Sequence, residues 1–156
     1  MSESLTDHIT ALNQLAYRYA HAIDTCDEVL LLTQVFTPDG RMRVYHPGED
    51  EPFIELVGPD LASVPRTMKP AHLRTMHQMT NHMVEIDGDI ASGQVYCCAR
   101  HLALDGKSAL NVIIRYEDLY HRTDGAWRIA DRKIRFLWDE VHPAGNSAFE
   151  GEEPIR

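Results

Sequence analysis

The chain has little cysteine, and its thiols follow no metal-binding or disulfide pattern. Cys26, Cys97 and Cys98 are the only cysteines among 156 residues. The adjacent pair would face opposite sides of a strand, and no Cys-x-x-Cys spacing occurs. This usage argues against a disulfide framework or a zinc site, and it predicts a protein of the reducing cytoplasm.

An excess of positive charge and a long apolar run are also lacking. The 24 acidic and 15 basic side chains give a formal net charge of −9. A nucleic acid or an anionic membrane would require a basic surface, so neither is an expected partner. No apolar segment approaches the roughly 20 residues of a membrane-spanning helix. The polar, acidic first ten residues do not have the pattern of a signal peptide.

The first half of the chain has the pattern of helices. Apolar residues recur at intervals of three and four, which predicts an amphipathic helix over residues 6–23. A second helix is expected over 27–36, and a short one over 59–68. Thr37-Pro38-Asp39-Gly40 predicts a turn, and the alternation that follows it predicts a short strand over 41–46.

The second half has the pattern of an antiparallel sheet. Asp-Gly turns separate segments rich in β-branched and aromatic residues, which predicts a hairpin over 76–104 and further strands over 109–122 and 126–138. Helices followed by strands indicate an α+β fold, and 156 residues without an internal boundary indicate one domain over 1–156. The last segment, about 139–156, is acidic and predicts a mobile or partner-bound tail.

Nine histidines are present, and three of them lie in the predicted hairpin. Because the hairpin folds back on itself, His77 and His101 are expected at the same end of the strand pair. His82 has the opposite parity to His77 unless a bulge intervenes, so we expect it on the outer face. The series His72, His77 and His82 does not predict a metal site, since its consecutive members face opposite sides of an extended strand.

Four segments resemble, in their order and spacing, the SnoaL-like branch of the nuclear transport factor 2-like superfamily. They are YRYAHAIDTCD, VFTPDGRMRVY, MHQMTNHMVEIDGDIASG and YEDLYHRTDGAWRIADRKIRFLW, and the resemblance extends over residues 8–138. It implies a cone-shaped α+β barrel in which N-terminal helices pack on a curved, mostly antiparallel sheet. The family includes scytalone dehydratase, bile-acid 7α-dehydratase and γ-hexachlorocyclohexane dehydrochlorinase, so the resemblance also implies a lyase that uses no cofactor.

The resemblance implies specific site residues. Those lyases resemble one another in pairing an aspartate late in the first helix with a histidine on an early sheet strand, and Asp24 and His77 match these positions. Other positions match functional residues of single members of the family, namely Tyr19, His101, Tyr45 and Arg135. Separately, Tyr116 shares a strand face with Asp118 and Tyr120, which places it at a pocket wall or at an oligomer interface.

The same residues suit an elimination on chemical grounds. A neutral imidazole can remove a carbon-bound proton, and a carboxylate on its second nitrogen stabilises the imidazolium that forms. His77 and Asp24 would supply this pair, Tyr19 and Tyr45 could donate hydrogen bonds to a developing oxyanion, and His101 could hold or protonate the departing hydroxyl. The structural alternatives are that Asp24 caps the next helix, that Tyr19 is only a core residue and that the histidines are half-exposed strand residues.

These interpretations converge on a cofactor-independent dehydratase acting on a small apolar substrate of polyketide-, steroid- or aromatic-like chemistry. An isomerase, an epoxide hydrolase or cyclase, and a non-catalytic binding module similar to an oxygenase small subunit are the alternatives. A homodimer or homotrimer is expected. A hydrogen bond between Asp24 and His77 beside a pocket favours an enzyme, because a scaffold has no need for it.

Overall fold

The structure, a computed structural model, describes residues 4–145. Its helices are α1 (Leu5–Asp24), α2 (Glu28–Leu30) and α3 (Ser63–Ala71). A π-helical turn (Leu31–Val35) continues α2, and a 3₁₀ turn (Gly58–Ala62) precedes α3. Its strands are β1 (Phe36–Tyr45), β2 (Ile54–Val57), β3 (Arg74–Asp87), β4 (Ile90–Leu102), β5 (Ser108–Thr123) and β6 (Ala126–Pro143). Among the described helices, none combines the length and the hydropathy needed to cross a membrane.

Helix α1 begins and ends where its sequence specifies. The Ser4 hydroxyl accepts the backbone N–H of Asp7 while the Asp7 carboxylate accepts the backbone N–H of Ser4, which forms a capping box. After Asp24 the chain leaves the helix through Thr25 and through Cys26, whose φ is +55°. The apolar stripe faces the sheet, where its largest side chains are almost fully buried: Leu12, Leu15, Tyr19 and Ile23.

The six strands form one sheet in the order β2-β1-β6-β5-β4-β3. Strands β3 to β6 pair antiparallel, as the turn signals predicted, whereas β1 runs parallel to β6. Two of the predicted Asp-Gly turns place residues in the left-handed region, with φ of +59° at Gly88 and +77° at Gly125. The sheet is curved and unclosed, and β2 and β3 are its edge strands. Helices packed on a mostly antiparallel sheet confirm the predicted α+β fold.

The core lies between the helices and one face of the sheet, called here the inner face. This face carries the buried side chains of alternating strand positions, among them Val95, Cys97, Ala99, Val112, Ile114, Tyr116, Ile129 and Ile134. Their positions agree with the strand parity expected from the sequence. The opposite side is the outer face, which no described helix covers. It carries exposed apolar side chains and ion pairs between neighbouring strands, such as Arg43 with Asp131 and Arg135 with Glu117.

Two local predictions are wrong. Residues 37–40 do not form a turn between a helix and a strand, since they belong to β1, whose pairing with β6 is irregular between Phe36 and Arg41. Residues 139–143 are not part of a tail, because they continue β6 and pair with the start of β5, as in Ser108 with Pro143. Residues 146–156 of the predicted tail lie outside the described residues.

Candidate active site

Asp24 and His77 meet at the junction of α1 and β3. The ring Nδ1 of His77 lies 2.7 Å from Asp24 Oδ1, and the backbone N–H of His77 donates to Asp24 Oδ2 at 3.0 Å. The hydroxyl of Thr75, two residues earlier on the same inner face of β3, donates to Asp24 Oδ1 at 2.8 Å. The side chains are only 22% exposed for Asp24 and 7% for His77, so the contact is largely shielded from solvent. Asp24 does not cap α2, since that cap is Asp27.

The electrostatics of the pair fix the state of the imidazole. Burial on its own would raise the pKa of Asp24, but hydrogen bonds from the His77 ring and backbone and from Thr75 outweigh it and lower the pKa. An ionised carboxylate only accepts hydrogen bonds, so Nδ1 of His77 carries a proton. In the neutral ring, Nε2 then holds the free lone pair, and this is the atom that can remove a proton from a substrate.

His101 and His72 extend this pair into a row of imidazole rings. His101 lies on the inner face of β4 opposite Thr75, and its ring centroid is 5.6 Å from that of His77. His72 ends α3 and stacks on His101 with centroids 4.6 Å apart and planes 19° from parallel. Burial, aided by the neighbouring His77 and His72 rings, lowers the pKa of His101 to about 4, and burial with His77 also lowers the pKa of His72. Both rings are therefore largely neutral at pH 7.

An open cleft of about 470 Å³ lies beside this row of rings. Its lining includes His72, His101 and apolar side chains such as Leu104, Leu110 and Val141. Asp24 and His77 do not themselves line this cleft, but His101 does, and its ring centroid lies 5.6 Å from that of His77. A larger groove of about 690 Å³ lies among charged residues of the outer face and does not approach this pair. Volume alone therefore does not identify a site, and the smaller cleft is the candidate because the row of histidines lies beside it.

Tyr19 and Tyr116 lie elsewhere, in the middle of the core. They are 2% and 1% exposed, and their rings sit edge to face, 5.6 Å apart. The guanidinium carbon of Arg132 lies 4.1 Å from the centroid of Tyr19 and 4.3 Å from that of Tyr116. Burial raises the pKa of both phenols. The structure thus brings these two predicted residues together around a buried arginine rather than beside the cleft.

Arg132 belongs to a buried polar network that sequence reasoning missed. Its guanidinium donates two hydrogen bonds to Asp118, at 2.8 and 2.7 Å, and both side chains are inaccessible to solvent. The hydroxyl of Tyr120 also donates to Asp118, and His82 Nε2 lies 3.0 Å from that hydroxyl. His82 Nδ1 then reaches Oδ1 of Asn13 on α1 at 2.8 Å. The network ties β3, β5, β6 and α1 together inside the core.

The expectation that His82 faces outward is wrong, because a bulge changes the parity of β3. Pairing with β4 shifts between Thr80 and Met83, and Asn81 in the middle has a φ of +50°. The extra residue turns His82 to the same inner face as His77. The signal that could have revealed it is the asparagine itself, since asparagine tolerates the left-handed region better than most residues with a side chain.

Tyr45 and Arg135 lie on the outer face, away from Asp24 and His77. The Arg135 guanidinium carbon lies 4.5 Å from the Tyr45 ring centroid, and the same side chain pairs with Glu117 at 3.1 Å. Their neighbours in sequence, Val44 and Ile134, point inward and pair in register.

Of the predicted site residues, the structure therefore groups Asp24, His77 and His101. Within residues 4–145, no cluster of three or more potential ligands has the arrangement of a metal site.

Solved structures with this architecture include proteins that are assigned to different activities. A candidate aromatic ring hydroxylase from Novosphingobium aromaticivorans is 26% identical, covers 90% of this chain and 96% of its own, and superposes with a TM-score of 0.75. A candidate scytalone dehydratase from Novosphingobium aromaticivorans DSM 12444 is 16% identical, with coverages of 90% and 93% and a TM-score of 0.74. A hexachlorocyclohexane dehydrochlorinase from Novosphingobium barchaimii LL02 is 20% identical, with coverages of 87% and 89% and a TM-score of 0.70.

The last two likenesses concern the fold alone, because their identities are low. No protein of curated function matches the sequence significantly. The model of the SnoaL-like domain family matches residues 4–133, which is most of the chain and includes the helix and the strand that supply Asp24 and His77. The chain therefore belongs to the SnoaL-like domain family.

Proposed function

We propose that the protein is a cofactor-independent lyase of the dehydratase type, in which His77 is the base and Asp24 orients it. The observation that carries this proposal is the contact of 2.7 Å between His77 Nδ1 and Asp24 Oδ1. A histidine placed only for packing does not need an ionised carboxylate held by three hydrogen bonds, one of them from its own backbone. The arrangement is the one in which a carboxylate holds the imidazole in one tautomer and stabilises the imidazolium that forms.

The proposed reaction uses one proton carrier. Nε2 of His77 takes a proton from a carbon next to a substrate carbonyl, and the electron pair of that bond forms the new carbon–carbon double bond as the carbon–oxygen bond to the hydroxyl breaks. The His77 imidazolium, stabilised by Asp24, returns the same proton to the departing hydroxide, which leaves as water. With its pKa lowered to about 4, His101 is neutral at pH 7 and donates a hydrogen bond rather than delivering a proton as an imidazolium.

The activities for which two structurally similar proteins are named support an elimination as the reaction of this protein. One is called a dehydratase and another a dehydrochlorinase, and both names denote the removal of a small molecule across a carbon–carbon bond. The candidate aromatic ring hydroxylase is the relative that favours the oxygenase-subunit alternative. We prefer the lyase because a subunit without its own chemistry gives no reason for the Asp24–His77 contact.

The test is an assay of β-hydroxy ketones on aromatic, polyketide-like and steroid-like frames, followed by loss of water in the mass spectrum. For any substrate that turns over, we expect His77→Gln to lower kcat about 10²–10⁴-fold, because the general base is lost. His121→Gln is the matched control, since His121 is exposed on β5 and far in register from the pair. The proposal fails if His77→Gln retains the wild-type kcat.

An isomerase is the second candidate, and one observation favours it. His101 carries no positive charge at pH 7, so the site has no separate charged acid for a leaving group. The same Nε2 of His77 could return its proton to another carbon of the substrate. Incorporation of solvent deuterium into a candidate substrate without loss of water would identify the isomerase.

We also propose that the chain forms a homodimer or homotrimer through the outer face. Large apolar side chains there are exposed, among them Met76 at 44%, Met83 at 62%, Leu119 at 37% and Trp138 at 57%. Exposed apolar groups on a sheet that no described helix covers are typical of an interface. Sedimentation velocity of the full chain would test this, since a monomer at micromolar concentration contradicts it.

A further inference from the structure

We propose that Thr75 is a positioning residue, which keeps the Asp24 carboxylate ionised and directed at His77 while the charge of the His77 ring changes. The inference rests on the proposed function and deepens it, because it gives a role in that reaction to a side chain that does not have to touch the substrate. Three observations carry it: the origin of the hydrogen bonds to Asp24, the way in which its charge is stabilised, and the spacing of Thr75 and His77 on β3.

Thr75 supplies the hydrogen bond to Asp24 that is independent of His77. Oδ1 of Asp24 accepts the Thr75 hydroxyl at 2.8 Å and lies 2.7 Å from Nδ1 of the His77 ring. Oδ2 accepts the backbone N–H of His77 at 3.0 Å. Of the two contacts to Oδ1, the one with the ring changes when His77 gains or loses a proton, whereas the hydroxyl of Thr75 donates in both states. Thr75 therefore fixes the oxygen that faces the ring throughout the proposed reaction.

Hydrogen bonds, rather than a cation, stabilise the charge of Asp24. Within residues 4–145, no lysine or arginine forms an ion pair with this carboxylate. Burial raises the pKa of Asp24, and the hydrogen bonds from His77 and Thr75 lower it by more. The buried carboxylate of Asp118 differs, because it accepts two hydrogen bonds from the Arg132 guanidinium. The Thr75 hydroxyl thus belongs to a small set of donors that replaces a cation at Asp24.

The spacing on β3 suits this role. Thr75 and His77 are two residues apart on one strand, so both side chains project from the inner face toward the end of α1. The branched side chain of threonine has a restricted χ1 angle, so the hydroxyl is held in few orientations before Asp24 accepts it. A donor that is already oriented loses little conformational entropy when it positions the carboxylate.

Three variants separate the hydrogen bond of Thr75 from its packing. Thr75→Val keeps the branched shape and removes the hydroxyl, whereas Thr75→Ser keeps the hydroxyl and removes the methyl group. Thr80→Val makes the same change at an exposed position of the same strand and is the matched control. A positioning role follows the hydroxyl, and a packing role follows the methyl group.

The first measurement is the titration of Asp24 in the full chain, followed through the ¹³C resonance of its side-chain carboxyl group and assigned with Asp24→Asn. We expect Thr75→Val to lower the acid dissociation constant of Asp24 about tenfold, which is one pKa unit or about 1.4 kcal/mol, because a charged acceptor loses one hydrogen bond. Thr75→Ser should stay within about threefold of the wild type, and Thr80→Val should leave the titration unchanged. Besides His77, three titratable side chains lie near enough to act on the Asp24 charge, and all variants retain them: Cys26, Cys97 and His101.

The second measurement is steady-state kinetics with any substrate that turns over. We expect Thr75→Val to lower kcat about tenfold and to change KM by less than about twofold, because Thr75 acts through Asp24 and does not line the cleft. Thr75→Ser should recover most of kcat. Circular dichroism shows whether each variant is folded, and Thr75→Ala, which removes the same hydroxyl without requiring valine to fit, should shift the Asp24 titration in the same direction.

The role of Thr75 is contradicted if Thr75→Val leaves the titration of Asp24 as in the wild type, or if Thr75→Ser shifts it as far as Thr75→Val does. The titration requires no turnover, so a dependence of Asp24 on the Thr75 hydroxyl in a protein without elimination activity overturns only the lyase. Conversely, elimination that depends on His77 but is unaffected by Thr75→Val overturns only the role of Thr75.

Discussion

Asp24 holds His77 at two points, since one carboxylate oxygen contacts the ring and the other accepts the backbone N–H of the same residue. This fixes both the imidazole and the strand from which it projects. Asp24 is also the last residue of α1, where the helix dipole disfavours a negative charge. Burial also disfavours the charge, but the hydrogen bonds from β3 outweigh both effects, so the pKa of Asp24 is lowered. The charge is thus maintained by the residues that it orients.

The first prediction concerns Asp24→Asn, which keeps the shape of the side chain and removes its charge. We expect kcat for elimination to fall about 10²–10⁴-fold, because the amide neither stabilises the His77 imidazolium nor enforces the proton on Nδ1. Steady-state kinetics against any substrate of the wild type measures this loss.

Asp27→Asn is the matched control. Asp27 lies three residues further along the chain and caps α2 through the backbone N–H of Leu30. Asparagine is an equally good capping residue, so both stability and kcat should stay near the wild-type values. Equal losses in the two variants would show that Asp24 acts only through the local structure.

Much of the fold was predictable because its signals are local. The stripe of α1 and the Asp-Gly turns each involve residues close in sequence, and they locate the leading helix and strands β3 to β6. The parallel pairing of β1 with β6 was not predictable, since it joins segments about 90 residues apart and β1 has no turn signal to define its partner. The continuation of β6 through residues 139–143 likewise depends on pairing with β5, and their polar side chains suggested a tail instead.

The residues of the candidate site likewise include some that the sequence predicts and some that it does not. The sequence predicts Asp24 and His77 as site residues because their family spacing and their complementary chemistry agree. His72 was missed since it follows α3, and only the packing of that helix brings its ring onto His101. Arg132 was missed because nothing in its sequence surroundings distinguishes a buried arginine from an exposed one on a strand.

The second prediction concerns the bulge that turns His82 inward. Asn81 has a φ of +50°, so Asn81→Val should cost about 1–2 kcal/mol of unfolding free energy, because a β-branched residue is strained in the left-handed region. Asn81→Gly should change stability by less than about 0.5 kcal/mol. Urea denaturation measures both, and the neighbouring exposed position provides the control Thr80→Val. Equal costs for valine and glycine at position 81 would contradict the assignment of the bulge.

The third prediction concerns the buried pair of Asp118 and Arg132. In Asp118→Asn the guanidinium of Arg132, fully inaccessible, loses the carboxylate that raises its pKa and keeps it charged. We expect a loss of about 3–5 kcal/mol in unfolding free energy, as for other buried pairs deprived of one partner. Glu117→Gln is the matched control one residue away on the outer face, where the pairs with Arg115 and Arg135 remain partly exposed. That variant should cost about 1 kcal/mol or less, and similar losses in both would contradict the role of burial.

The fourth prediction concerns the pH dependence that His101 imposes on stability. Its pKa in the folded chain is about 4, below its ordinary 6.5, so between these values the unfolded chain binds more protons than the folded one. The free energy of unfolding should therefore be at its full value above pH 6.5 and decrease as the pH falls toward 4. The difference between the two pKa values corresponds to at most about 3 kcal/mol of unfolding free energy. Partial solvent access of the ring reduces the expected loss to about 2 kcal/mol.

His101→Gln removes this titrating group. Urea denaturation at pH 7.5 and 4.5 should show that the variant loses about 2 kcal/mol less than the wild type over this interval. Some loss should persist in it, because burial also lowers the pKa of His72 and His82. His121→Gln, at an exposed position, should lose as much stability as the wild type. If the two variants show the same pH dependence, His101 is not held neutral by its surroundings, and the proposed neutral contact with the substrate loses its physical basis.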